Sequence, residues 1–279
     1  MKLTIFFSLV VLCIANTSAI QAQDLFDNAH SLQYAKYLMR SGNYEQAGWE
    51  YQRLVYLHPQ NDTFKIQLLK SYRLGQAYDA VEKQWQYWRQ DTPLRPEIHE
   101  EYAKSLLFAG RAQEVIVLAA TPGMLPEPTA GQMTFYSHIL LQQWPEAKEQ
   151  WRNWPLNKPL PGKATIGELF QRAEATRYKK PWVAAGLSAV IPGAGKAYTK
   201  DWADGAIALV FVGLNSWQTY RRFSNEGVRS FWGWFHGGFA AGFYIGNIYG
   251  AHKAARLYNG RQKHKLQHEA ERIIYPVIR

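Results

Sequence analysis

Residues 188–202, SAVIPGAGKAYTKDW, hold a Pro-Gly-Ala-Gly-Lys core whose glycines and lysine are the residue types that cradle a phosphate. A phosphate loop of the form G-x-x-x-x-G-K-[ST] needs glycine at 190 and a hydroxyl at 197, where this chain has Val190 and Ala197. The turn geometry and the magnesium ligand are both missing. His99-Glu100-Glu101 opens like a helical zinc site, but no histidine follows at 103. His264 and His268 are four apart without a third ligand, which reads as a solvated basic helix. His236 is the only ionisable residue well inside an otherwise apolar run, and such residues are functional candidates in a membrane. No Ser-His-Asp order and no close carboxylate pair stands out. The chain does not read as an enzyme, and no cofactor or metal is expected.

The elements that carry these residues divide the chain in two. The first half repeats. In YAKYLMRSGNYEQAGWEYQRLVYLHPQN, residues 34–61, Gly42 and Ala47 predict close approach of two antiparallel helices, Tyr44 and Tyr51 fill the space between units, and Pro59 stops the second helix. Later units keep Gly75 and Ala80, then Gly110 and Val115, then Trp144 and Ala147. The equivalent position runs 47, 80, 115 and 147, close to a period of about 34 residues. The order Gly42, Tyr44, Ala47, Tyr51, Leu54, Pro59 resembles the tetratricopeptide family. Residues 25–155 therefore read as four degenerate helix pairs in a short solenoid, which implies a surface for a protein or peptide partner. For most single aromatics, packing between repeats is the plainer reading. Trp85, Trp88, Trp151 and Trp154 exceed what helix pairs need, so some are expected in the groove.

Prolines at 155, 159 and 161 end the solenoid, and residues 156–180 read as a linker with a connecting helix. From Pro181 the chain turns apolar. Residues 205–220 carry no charge, and residues 230–251 are 22 residues without Lys, Arg, Asp or Glu. A span takes about 20 apolar residues, so these segments predict a membrane hairpin, with 182–191 too short to cross and turned at Pro192 and Gly193. Gly238, Gly242, Gly246 and Gly250 recur every four residues and predict a smooth helix face for another helix of the chain or for a second copy.

The block KKPWVAAGLSAVIPGAGKAYTKDWADG, followed by an apolar segment and FYIGNIYGAHKAARLYN, resembles bacterial membrane modules related to TM2 domains. The resemblance covers about 80 residues, sets the module at residues 181–252 and implies a membrane turn at Pro192, Gly193, Gly195 and Tyr198, with an architecture but no activity. Lys196 stands where a glutamine is usual there.

The charge fits this division. Of the net +10, residues 3–178 contribute nothing, with 17 basic and 17 acidic residues, whereas residues 179–279 hold 14 basic and five acidic ones. Basic residues flanking apolar runs favour a lipid bilayer over nucleic acid. Residues 1–22 have the layout of a signal peptide, and Cys13, the one cysteine, falls inside it. The expected architecture is all-α: a tetratricopeptide-like solenoid, a helical membrane hairpin over 181–252, and a basic tail over 253–279. The expected role is a bacterial envelope adaptor in the inner membrane with its repeats on the periplasmic side, possible self-association through the glycines, and a partner on the solenoid. The alternative is an accessory factor for transport or membrane insertion, with His236 lining a polar path.

Overall fold

The computed structural model describes residues 27–90, 93–155, 160 and 162–279; the expected signal segment lies outside them. Among the described residues the chain is all-helical, without strands. It forms two compact units divided between Thr129 and Ala130.

The first unit contains three helix pairs: α1 (Asn28–Arg40) with α2 (Tyr44–Leu57), α3 (Asp62–Leu74) with α4 (Tyr78–Trp88), and α5 (Pro96–Phe108) with α6 (Ala112–Ala120). Local chemistry sets the starts. The Asn61 side chain accepts the Thr63 and Phe64 N–H groups, satisfying donors that the first turn of α3 leaves open, a cap worth about 1 kcal/mol. Between the paired helices the chain enters the left-handed region at Gly42, Gln76 and Gly110, with φ of 79°, 62° and 75°. The fourth residue of each second helix, Ala47, Val81 and Val115, is fully buried.

These positions correct the phase of the second repeat. Gly75, at φ −80°, ends α3 and is a close-packing position but not the turn, and Ala80 is half-buried; Gln76 makes the turn and Val81 fills the core. The repeat interval is then 34 at both steps of the first unit. Gly42 is also a turn residue with open space beside it, not a packing contact. The close approach falls at Gly48, where a Cβ would meet the Tyr72 ring at 3.0 Å. Tyr51 is buried as expected, and Tyr44 lies against Gly75.

Trp85 is a core residue, whereas Trp88, though mostly buried, lines a groove beside Tyr56 and Tyr87. Trp85 stacks on Tyr102 at 4.0 Å between centroids and donates Nε1–H to His99. The aromatics that stand out of this unit are instead Tyr34, Tyr37, Trp49, Tyr56 and Tyr87.

The second unit begins in α7 (Thr129–Leu140), which with α8 (Trp144–Arg152) makes the fourth expected pair. Gln142 takes the left-handed turn, φ 55°, and Ala147 is fully buried. Trp151 and Trp154 are half-buried and pack on Phe135, and Trp151 also meets Phe170 of α9 (Lys163–Ala175). Then follow α10 (Pro181–Val190), the short α11 (Ala194–Tyr198), α12 (Trp202–Glu226) and α13 (Phe231–Ile278).

The last helix joins the apolar segment and the basic tail in one 48-residue rod. Its distal half buries Leu266, Ala270, Ile274 and Ile278, and it packs against α9. The tail is therefore amphipathic rather than solvated on all sides. No described helix is long and apolar enough to cross a membrane. In α13 the glycines, tyrosines, tryptophans, Asn247 and His236 dilute the apolar run.

Candidate functional site

The Pro-Gly turn shapes the centre of the second unit. Gly193, at φ 88°, caps α11, and a Cβ there would overlap the Gly205 carbonyl oxygen. Gly195 lies so close to Ala184 that a side chain would overlap that residue's carbonyl oxygen, and Ala251 Cβ would be 2.7 Å away. Its N–H donates to Ser188 Oγ at 3.0 Å. The N–H groups of Ala194, Lys196 and Ala197 donate to carbonyls at residues 191 and 193. The amides that a phosphate would need are therefore already used inside the turn. Tyr198 packs on Ala184, Ala251 and Ala255, with the Lys179 ammonium 4.3 Å from its ring centroid.

Small residues do bring helices together, but on a different face of α13 from the expected one. Asn247, Ala251 and Ala255, spaced by four, are buried, and α10 packs here with Ala184, Ala185 and Ser188. Nearer its start α13 meets α12 at Gly233 and Gly237, against Phe223 and Thr219. A Cβ at Gly238, Gly242 or Gly246 would meet nothing within 4 Å, and one at Gly250 only Lys196 Cε at 3.6 Å. The predicted glycine face is thus not a helix-packing surface within the chain. Glycine at these positions leaves a channel.

That channel is a groove of about 1000 Å3 between α12 and α13. Gly238, Gly242 and Gly246 line it, and Ile207, Phe211, Phe235, Phe239 and Phe243 are its apolar walls. Its polar side chains are Lys196, Asp204 and Asn247. Lys196 Nζ and Asp204 Oδ2 are 3.7 Å apart, an ion pair longer than a hydrogen bond. Asn247 is 5% exposed; its Nδ2 donates to the Ser188 carbonyl at 3.5 Å, and its Oδ1 is buried with no hydrogen-bond partner among the described residues.

His236 is half-buried and pairs across the hairpin. Its Nδ1 lies 3.0 Å from Asn215 Oδ1, a polar clasp between α13 and α12. Asn215 and Asn247 were legible as the asparagines of the two uncharged runs, but their partners were not. His264 and His268 form no cluster: His268 Nδ1 faces Glu271 at 3.4 Å, and no group of three possible metal ligands occurs among the described residues.

No family model, curated protein or solved structure matches this chain.

Proposed function

We propose that this chain is a membrane-anchored adaptor of a bacterial envelope, whose helical hairpin sits in a lipid bilayer and whose repeat unit takes a protein or peptide partner. The carrying observation is the bareness of α12: of its 25 residues only Gly205 and Val212 are buried, although most of its middle is apolar. Ile207, Val210, Phe211, Leu214 and Trp217 are all about half exposed or more, and Phe231, Trp234 and Ile245 of α13 stand out further. A contiguous apolar surface of this kind marks a membrane or partner surface. Lys179, Lys180, Lys200, Arg221, Arg222 and Arg229 flank it, where headgroups would lie.

The adaptor half rests on the first unit, which has a groove of about 460 Å3 beside Tyr56, Tyr87 and Trp88, with Gln52 and Gln84 at hand. Exposed tyrosines beside side-chain amides suit a peptide. The alternative, an accessory role in transport or insertion, draws on the His236–Asn215 contact inside the apolar hairpin.

Fractionation tests the anchor. The full chain should stay with membranes through high salt and alkaline carbonate and leave only with detergent; recovery in the supernatant without detergent would overturn the reading. A photoreactive residue at Tyr87 should then crosslink one partner. Loss of function from His236→Ala with normal assembly would favour the transport role.

A further inference from the structure

The groove between α12 and α13 has an unusual combination of parts: glycine lining, phenylalanine walls and one polar end. From Trp234 to Asn247 it follows about 20 Å of helix. That exceeds the roughly 15 Å hydrocarbon depth of one bilayer leaflet. Its volume lies at the upper end of ordinary ligand pockets.

A second helix is a poor occupant. It would have to reach the glycine backbone through side chains that already meet, since Phe211 and Phe243 touch across the groove with centroids 5.3 Å apart. The phenylalanines continue along α13, with Phe239 4.8 Å from Phe235. A helix with its side chains is about 10 Å across. A polymethylene chain is less than half as wide and bends to follow the channel.

The polar end says what the headgroup must offer. Asp204 is in the first turn of α12, and Lys196 Cε reaches the Gly250 position of α13, one turn beyond Gly246. The two charges cancel, so the site suits a headgroup that is itself zwitterionic. Asn247 adds a buried carbonyl oxygen that needs a donor. A headgroup phosphate would meet Lys196, and an adjoining ammonium with N–H donors would meet Asp204 and Asn247 Oδ1. A trimethylated ammonium carries the same charge without donors and leaves Asn247 unpaired.

We propose that this groove is a binding site for one phospholipid with a primary-ammonium zwitterionic headgroup, holding an acyl chain along Gly238, Gly242 and Gly246 and the headgroup at Lys196, Asp204 and Asn247. The proposal rests on the bilayer reading above, and its test separates the two. The full chain is placed in nanodiscs of phosphatidylethanolamine, phosphatidylcholine and phosphatidylglycerol in equal parts, released into mild detergent and weighed by native mass spectrometry. One retained lipid per chain is expected, with phosphatidylethanolamine favoured over phosphatidylcholine by about tenfold, the effect of one lost charge-assisted hydrogen bond.

Gly242→Leu fills the channel and should lose the retained lipid while staying in the membrane fraction. Asn247→Leu should keep one lipid but hold the two zwitterionic headgroups alike, and Asp204→Asn, at a more exposed position, should move the same way. Equal retention of the two by the wild-type chain, preference for phosphatidylglycerol, or no retained lipid from a protein that does fractionate with membranes each overturns the proposal alone. So does a dimer that Gly242→Leu dissolves, which would make a second copy the occupant. A wild-type chain that never enters the membrane fraction overturns the bilayer reading itself.

Discussion

Asn259 clasps the backbone of Lys179 from 80 residues away: its Nδ2 donates to the Lys179 carbonyl at 2.7 Å, and its Oδ1 accepts the Lys179 N–H at 2.8 Å. The segment 176–180 has no regular structure, so these two peptide groups have no helical partners. The clasp fixes where the chain enters α10, and therefore how α10 meets the Asn247–Ala251–Ala255 stripe.

Asn259→Ala removes both bonds and should cost about 2 kcal/mol. Arg177 and Lys179 make this segment a trypsin substrate once it is released. Limited proteolysis should therefore cut the variant between Arg177 and Lys180 several times faster than the parent chain. Equal cutting rates would show that the clasp does not hold the segment.

Two glycines of the second unit should respond in opposite senses to the same methyl group. Gly195→Ala drives a Cβ into Ala184 and Ala251, both parts of packed helices, and should destabilise the unit by about 3 kcal/mol. Gly238→Ala adds a Cβ in open space within a helix and should stabilise by about 0.8 kcal/mol through helix propensity alone. Thermal unfolding of delipidated protein in one detergent compares them; a loss at Gly238 there would mean that another part of the chain fills its face.

The sequence pattern made the repeats visible because each pair must bury one small or branched residue at the same turn, and Ala47, Val115 and Ala147 do so. The second pair was misplaced by one residue because Gly75 and Ala80 look like the right types beside Gln76 and Val81. Turn geometry at Gln76 comes from the helices on either side, not from the residue's own preference. The glycine stripe misled for a related reason. Glycine in a helix attracts notice, whereas Ala251 and Ala255, which do the close packing, are ordinary helix formers. The groove was illegible because its polar end joins Lys196, Asp204 and Asn247, which only the folded turn brings together.

Gln76 is in a conformation that costs a side-chain residue roughly 1 kcal/mol. Gln76→Gly should relieve most of that strain, offset in part by the extra freedom of the unfolded chain. The expected net gain is about 0.5 kcal/mol in urea unfolding of the first unit. The same change at Gln142 should not stabilise, because its Nε2 donates to the Lys263 carbonyl at 2.9 Å and that bond would be lost.

In the first unit Arg73 and Glu101 form an almost fully buried pair, with Arg73 Nε and Nη2 both near Glu101 Oε2, at 3.0 and 2.9 Å. Glu101→Leu leaves the guanidinium buried beside an apolar group and should cost about 4 kcal/mol. Adding Arg73→Met should recover most of the loss, because two buried charges are then replaced by apolar volume. A double-mutant cycle by urea denaturation reads the coupling; additive losses would show that the pair acts as two independent contacts.

His99 makes the same unit sensitive to mild acid. It is buried, and its Nδ1 accepts the Trp85 Nε1–H at 2.9 Å, which requires that nitrogen to be unprotonated. Burial, and then the nearby Arg89 charge, lower its pKa below the ordinary 6.5. The folded chain therefore binds this proton less readily than the unfolded chain. The stability that neutral His99 contributes is fully present above 6.5 and is lost as pH falls from there through the folded value. His99→Gln keeps an acceptor for Trp85 without a titrating group. Urea midpoints between about pH 7.5 and pH 5.5 should fall for the parent chain and stay nearly level for His99→Gln. Parallel slopes in the two proteins would assign the acid sensitivity to other groups.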